Sequence, residues 1–111
     1  MHVVRRDQLP FSRIASEFVG ADNGAVGISL LFVEAPPGRG PSLHRHGYHE
    51  VFLVEEGQAV FYAGNEEREV GDGEIVVVPP DTPHRFLTTG DVPLRMVSIH
   101  LSPEFVTEWL E

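Results

Sequence analysis

Short apolar segments separated by turn-forming residues run through most of this chain of 111 residues. Six of the segments are four to eight residues long, and Gly, Pro, Asp or Asn lies between most neighbours. Segments of this length and spacing are typical of β-strands, because a helix shows a longer apolar periodicity. The six segments cover residues 26–33, 51–54, 59–62, 75–78, 85–88 and 94–101. The pattern predicts an all-β fold.

Turn residues also predict how two of these segments are connected. Gly64 and Asn65 separate the segment 59–62 from the polar segment 66–70, and two-residue hairpin turns favour residues that tolerate positive φ. Glu56 and Gly57 predict a second tight turn. We therefore expect a β-hairpin across residues 59–70.

Two segments, 51–54 (VFLV) and 75–78 (IVVV), are apolar at every position. Successive side chains of a strand point to opposite faces, so both faces of these strands need cover. A barrel interior covers one face, and a second sheet or a subunit interface covers the other. This pattern is one reason to expect a homodimer.

The last ten residues are the one part of the chain that reads as a helix. Ser102 suits the N-cap, Pro103 the first helical position, and Glu104 the positive end of the helix dipole. An apolar side follows, made of Phe105, Val106, Trp109 and Leu110. We expect a short C-terminal helix that packs across the barrel or onto a partner.

Composition excludes several classes of function. Seventeen acidic against eight basic residues give a formal charge of −9, which would repel nucleic acid and anionic lipid. The absence of cysteine excludes disulfides, thiolate ligands and cysteine nucleophiles, so a bound metal must use nitrogen and oxygen. The chain has no apolar run of roughly 18 residues and no apolar N-terminal signal, so we expect a cytoplasmic protein without membrane contact. The length predicts one domain spanning residues 1–111.

Three of the six histidines fall into a pattern with one carboxylate: His44, His46, Glu50 and His84. Alternate side chains share one face of an extended chain, so His44, His46 and Glu50 can converge. His84 follows the segment 75–78 and a proline-rich turn, so a neighbouring strand can add the third imidazole. Three imidazoles and a carboxylate suit one divalent transition metal ion such as Fe, Mn, Zn, Ni or Co, and leave positions open for substrate or water.

The same residues carry a family resemblance. Gly38, His44, His46, Glu50 and Gly57 are separated by five, one, three and six residues, the spacing of the first cupin motif (residues 38–57). Residues 73–88 resemble the second cupin motif, since Gly73, Pro79 and His84 match its first glycine, its proline and its histidine. The resemblance implies the double-stranded β-helix (jelly-roll barrel) of the small single-domain cupins, which are commonly dimeric. It also implies that the four clustered side chains are the metal ligands.

Two positions depart from the second motif. Asp81 replaces a glycine that follows the proline, and aspartate can adopt the left-handed turn conformation at modest cost. Thr88 replaces the usual asparagine, and neither position is a ligand in the family.

The two histidines nearest this pattern need separate interpretations. His49 has the opposite parity from the ligands, so we expect it at the surface or in an interface. His100 shares parity with Leu94, Met96 and Ser98, so it reaches either the cavity or the core, and the core interpretation is favoured.

Three functional hypotheses remain open at the level of sequence. The first is oxygen chemistry of the kind that cupin dioxygenases perform, and the second is isomerase or lyase chemistry with the metal as a Lewis acid. The third is a binding module that captures a small molecule without turnover. We favour a small-molecule metalloenzyme, although no catalytic residue can be assigned. Metal-free epimerases of this fold fit less well, since four retained ligand types would be unexplained.

Overall fold

The computed structural model describes residues 1–111 and contains eleven β-strands. In chain order they are β1 Phe11–Ser12, β2 Ala15–Phe18, β3 Ser29–Ala35, β4 His44–Arg45, β5 Glu50–Glu56, β6 Gln58–Ala63, β7 Glu66–Val70, β8 Ile75–Val78, β9 His84–Thr89, β10 Leu94–His100 and β11 Glu108–Trp109. The only helical elements are two single 3-10 turns, Arg6–Gln8 and Gly20–Asp22. The predicted all-β fold is confirmed.

The strands form two antiparallel sheets that face each other. The first sheet has the order β1-β2-β3-β10-β5-β8, and the second has the order β11-β4-β9-β6-β7. Consecutive strands often lie in different sheets, so the chain winds between them as a double-stranded β-helix. Because β5 and β9 belong to different sheets, Glu50 and His84 can approach each other from opposite walls of the barrel.

The space between the sheets is apolar at one end and polar at the other. Phe52, Phe61 and Phe86 form an aromatic cluster, with ring centroids 5.1 Å apart between Phe52 and Phe61 and 5.5 Å apart between Phe61 and Phe86. Glu50 precedes Phe52 on the same face of β5. It lies opposite His100 on β10, and both residues are buried. The apolar core therefore lies directly beside the polar cluster inside the barrel.

Tight turns occur where the sequence predicts them. The hairpin between β6 and β7 is confirmed, with Gly64 at φ 58°. Gly57 turns the chain from one sheet into the other at φ 96°, and a Cβ built there would lie 2.6 Å from the Pro93 carbonyl oxygen. Asp81 also has a positive φ, 62°, as predicted, and its N–H donates to the carbonyl of His46 over 2.7 Å.

The outer face of the first sheet is apolar, and no second sheet covers it. Two rows of side chains cross β3, β10, β5 and β8, and we call them the outer apolar face: Leu30, Ile99, Val51 and Val77 in one row, and Phe32, Val97, Leu53 and Ile75 in the other. The guanidinium of Arg6 lies 4.2 Å from the ring centroid of Phe32 and covers that end. At the other end Ile75 is 64% exposed and Val77 is 58% exposed.

The predicted C-terminal helix is wrong. Residues 101–104 form bends, and β11 pairs with β4, placing Trp109 opposite His44. The backbone of this tail bonds to the barrel and not to itself, since Pro103 accepts from Ala21 and Leu110 donates to Leu43. An isolated helix of about ten residues is marginal in water, so these barrel contacts decide the conformation.

Strands β1 and β2 were not predicted, because the N-terminal residues lack a clear apolar pattern. Neither of the two 3-10 turns could span a membrane, since each has only three residues.

Candidate metal centre

The four predicted ligands converge at the polar end of the barrel. His44 begins β4, Glu50 begins β5, His84 begins β9, and His46 follows β4. His44 lies directly opposite His84 in the second sheet. All four side chains are buried, and one potential ligand atom from each lies within 4.8 Å of the others. Strand pairing thus brings together the group that the spacing of the sequence predicts.

Each of the three imidazoles is held from outside by a backbone carbonyl. The Nδ1 atoms of His44 and His84 lie 2.7 Å and 2.8 Å from the carbonyl oxygens of Ser42 and Thr82. The Nδ1 of His46 lies 3.0 Å from the carbonyl oxygen of Val106. A carbonyl can only accept, so Nδ1 carries the hydrogen in all three rings. In a neutral ring this leaves an unprotonated Nε2.

The Nε2 atoms of His46 and His84 face one oxygen of Glu50. The distances from Oε1 are 3.2 Å for His46 and 3.0 Å for His84. The Nε2 of His46 has no hydrogen-bond partner although it is buried. Imidazole lone pairs directed at a carboxylate repel it unless a cation lies between them. A divalent metal ion satisfies all of these atoms at once, so the residues fit such an ion.

Burial and neighbouring charges favour the protonation states that a metal requires. Burial lowers the pKa of His44 to about 4, and the positive charge that His84 and His46 can carry acts in the same direction, against the hydrogen bond to Ser42. For Glu50, burial opposes ionisation, but the contact with His100, together with those of His46 and His84 when Nε2 of these rings carries a hydrogen, outweighs it and holds the pKa of Glu50 well below the usual value. Near neutral pH the site therefore offers a neutral His44 and an ionised Glu50.

A second group of polar residues, which the sequence analysis did not predict, contacts Glu50 from β10. Its Oε2 accepts a hydrogen bond from the hydroxyl of Ser98 and lies 3.0 Å from Nε2 of His100. The Nδ1 of His100 lies 2.8 Å from the hydroxyl of Tyr48. Parity on β10 correctly predicted that His100 points into the barrel, but His100 lines the cavity next to Glu50, so the structure favours the cavity interpretation over the core interpretation. The signal that could have found it is the shared parity of Ser98 and His100.

The C-terminal tail forms one wall of the site. The Trp109 ring lies 5.1 Å from the ring of His44, and the ring of Phe105 meets His100 edge-on at 4.8 Å. The backbone of Val106 is bound on both sides, since its carbonyl accepts from His46 and its N–H donates to the Tyr48 hydroxyl over 3.3 Å. Residues 102–111, which were expected to form a helix, thus lie as a strap across the candidate metal centre.

A cavity of about 650 Å³ is lined by three of the four clustered side chains, His44, His46 and Glu50. Its wall includes the apolar rings of Phe52 and Phe86 and charged residues of both signs, Arg13, Arg39 and Glu17. The size and mixed lining suit a small polar molecule. His49 is exposed and lies outside this cavity, in agreement with its predicted surface position.

Solved structures with the same fold include enzymes and a protein of unknown function. Oxalate decarboxylase OxdC of Bacillus subtilis (E162A mutant) superimposes with a TM-score of 0.81 and 22% identity, covering 94% of this chain and 30% of that chain. An uncharacterized protein with a double-stranded β-helix domain from Klebsiella pneumoniae gives a TM-score of 0.77 and 21% identity, covering 98% of this chain and 96% of that one. At this identity the likeness is one of fold.

Two proteins found by sequence comparison share a higher identity with this chain than these solved structures do. The uncharacterized protein MJ1618 of Methanocaldococcus jannaschii is 33% identical over 76 residues, which are 68% of this chain and 61% of that protein. The polyketide synthase CurC of Streptomyces cyaneus is 36% identical over 86 residues, which are 77% of this chain and 53% of that protein. The chain thus spans between about half and three fifths of the length of these relatives.

The family comparison agrees with the motif positions. The sequence profile described as Cupin domain matches residues 31–100, a segment that contains both motifs and all four clustered side chains. Together with the double-stranded β-helix and the relatives above 30% identity, this match identifies the chain as a member of the cupin family.

Proposed function

We propose that the protein is an enzyme that binds one divalent transition metal ion through His44, His46, Glu50 and His84 and acts on a small polar molecule. One observation carries the proposal. Three imidazoles, each fixed by a carbonyl at Nδ1, cluster with a single carboxylate, and a cavity borders His44, His46 and Glu50 of this cluster. A metal ion bound there would supply Lewis acidity, or redox chemistry if it were iron or manganese.

The side chains of the cavity support binding of a small substrate next to the ion. Phe52 and Phe86 give an apolar surface against which a carbon skeleton can pack. Arg13 and Arg39 lie in the same lining, and neither forms an ion pair within the chain. Their guanidinium groups are free to bind an anionic or oxygen-rich substrate.

The proposal includes two alternative reaction classes, oxygenase chemistry and non-redox isomerase or lyase chemistry. Similar structures include an oxalate oxidase and an oxalate decarboxylase, whose names describe a redox and a decarboxylation reaction. One fold therefore supports both kinds of chemistry, and the pocket decides between them. We include oxalate among the candidate substrates for this reason.

Oxygen consumption separates the two classes. Protein reconstituted with Fe(II) under anaerobic conditions is mixed with catechols, diketones, thiols and oxalate, and dissolved oxygen is recorded. Oxygenase chemistry predicts substrate-dependent uptake that disappears in Glu50→Gln and persists in His49→Ala, a matched change at an exposed residue. Product formation without oxygen uptake would support isomerase or lyase chemistry. Multiple turnovers abolished by chelation would contradict a binding module.

We also propose a homodimer that covers the outer apolar face. Val51, Leu53, Ile75 and Val77 form its open end, and β8 is the last strand of its sheet. Exposed apolar patches of this kind are uncommon on monomers and are typical of subunit interfaces. A second copy packed on this face would bury Ile75 and Val77, the two most exposed side chains of the outer apolar face.

A further inference from the structure

The two oxygens of Glu50 have different surroundings. Oε1 lies 3.0 Å from Nε2 of His84 and 3.2 Å from Nε2 of His46, on the side of the clustered imidazoles. Oε2 faces β10, where Ser98 donates a hydrogen bond to it and Nε2 of His100 lies 3.0 Å away. The two oxygens of the carboxylate therefore contact different groups. Ser98 and His100 contact only the oxygen that is turned away from the imidazoles.

Hydrogen bonds determine which nitrogen of His100 carries the hydrogen. The Tyr48 oxygen accepts the N–H of Val106 over 3.3 Å, so its own hydrogen is available to a further acceptor. Its two neighbours are Nδ1 of His46, which already donates to Val106, and Nδ1 of His100 at 2.8 Å. The Tyr48 hydroxyl therefore donates to His100. In the neutral ring the remaining hydrogen lies on Nε2, which faces Oε2 of Glu50.

The His100 ring is fixed in this orientation by packing. It is 2% exposed, and it meets the His46 ring at 4.7 Å and the Phe105 ring at 4.8 Å, both edge-on. Its Nε2 has no hydrogen bond of good geometry, so the contact with Oε2 is bent. An N–H 3.0 Å from a buried carboxylate oxygen still attracts it strongly, because little water screens the pair.

We propose that Ser98 and His100 are positioning residues that hold Oε2 of Glu50, so that the carboxylate presents only Oε1 to a metal ion. This inference rests on the proposed metal-binding function. A carboxylate that offers one oxygen occupies one coordination position, whereas one that offers two oxygens occupies two. Ser98 and His100 thus keep a position open for the substrate. Tyr48 acts through His100, and the strap residue Val106 acts through Tyr48.

The test uses Co(II) as the probe, because its visible absorption reports coordination number. Metal-free protein is titrated with Co(II) in competition with a chelator, and spectra are recorded for wild type, Ser98→Ala, His100→Leu and His100→Gln. The matched control is Thr88→Val, which removes another buried hydroxyl from the barrel, one that has no hydrogen-bond partner. Circular dichroism melts of the metal-free variants check folding.

We expect Ser98→Ala and His100→Leu to weaken Co(II) binding by about 10- to 100-fold, the range typical of residues that support metal ligands. Their absorption should also weaken, as expected when Oε2 adds a bond to the ion. His100→Gln retains an N–H near the position of Nε2 and should restore both properties, while Thr88→Val should resemble wild type. If His100→Leu does not fold, Ser98→Ala and Tyr48→Phe decide the question.

Two results would overturn the inference, and they differ from a failure of the proposed function. Folded variants with the affinity and spectrum of wild type would show that Oε2 needs no support. Loss in His100→Gln equal to that in His100→Leu would show that the N–H of His100 is not the group that acts. Wild-type protein that binds no Co(II) would instead contradict the metal site itself, and the inference with it.

Discussion

His44 and His84 lie directly opposite each other on β4 and β9, with ring centroids 4.4 Å apart. This antiparallel pair brings together one histidine from each of the two cupin motifs. Each ring is oriented by a carbonyl two residues before it, Ser42 for His44 and Thr82 for His84. The same local hydrogen bond therefore orients both histidine rings.

The metal-free protein should lose stability as the pH falls from neutral toward 4. The pKa of His44 is about 4 in the folded chain and 6.5 in the unfolded chain, so below pH 6.5 the unfolded state binds a proton that the folded state does not. The lost stability reaches at most about 3 kcal/mol from this residue. The depressed pKa of Glu50 acts in the same direction at lower pH, because protonation of that carboxylate removes stability.

Urea unfolding of the metal-free protein at pH 7, 6 and 5 measures this effect. The contribution of His44 is the difference between wild type and His44→Ala, since the other titrating groups are common to both. We expect the difference in unfolding free energy between the two proteins to shrink as the pH falls. A constant difference across this range would contradict the assigned protonation of His44.

Gly57→Ala should destabilise the fold by more than either of two control substitutions. Its backbone has φ 96°, and a Cβ would lie 2.6 Å from the Pro93 carbonyl oxygen, so strain and a clash combine. Gly73→Ala adds only the strain of a positive φ, and Gly27→Ala meets no atom within 4 Å. We expect a loss of about 2 kcal/mol or more at Gly57, about 1 kcal/mol at Gly73 and little change at Gly27. Thermal melts that rank Gly57 with Gly27 would contradict the described corner.

Val77→Glu should convert the proposed dimer into a monomer. Val77 is 58% exposed on β8, so the substitution costs the monomer little, whereas a carboxylate buried in an apolar interface is strongly unfavourable. Val92→Glu is the control, because Val92 is 44% exposed in the turn between β9 and β10. Sedimentation velocity should find a wild-type and Val92→Glu dimer and a Val77→Glu monomer. A monomeric wild type at all concentrations would exclude the interface.

Removal of residues 105–111 should weaken metal binding although none of the deleted residues is a proposed ligand. The deletion removes the Val106 carbonyl that fixes His46 and the Trp109 ring that packs on His44. A loss of about 10- to 100-fold in affinity is expected. Arg45→Ala, which breaks only the exposed ion pair with Glu108, should have little effect. Unchanged metal affinity in the truncated protein would contradict the role of the strap.

The sequence predicted those parts of the fold that depend on local patterns. The strand 75–78 was predicted with its observed bounds, because an apolar run there is enclosed by glycine, aspartate and proline. Strand β3 was placed too early, at 26–33 instead of Ser29–Ala35. Its last two residues are weak strand formers, and they are extended because Ala35 and Glu34 pair with Leu94 and Arg95. That pairing cannot be read from the local sequence.

The site was predictable to the extent that motif spacing and side-chain parity determine it. His44, His46, Glu50 and His84 cluster as expected, and His49 lies outside. The supporting residues were not predictable, because Ser98 and His100 reach Glu50 only through the pairing of β10 with β5. The capping residues of the strap favour a helix, but contacts with Ser29, His46 and Leu43 hold the strap against the barrel instead.

Elemental analysis shows whether the four clustered side chains bind a metal ion. Protein purified without an affinity tag is passed through a chelating column, loaded with a divalent transition metal and measured by mass spectrometry of the elements, together with Glu50→Gln, His84→Ala and the surface control His49→Ala. We expect close to one metal ion per chain in wild type and His49→Ala, and strong loss in Glu50→Gln and His84→Ala. Wild-type protein without metal, or equal metal in all four proteins, would contradict the proposed metal site.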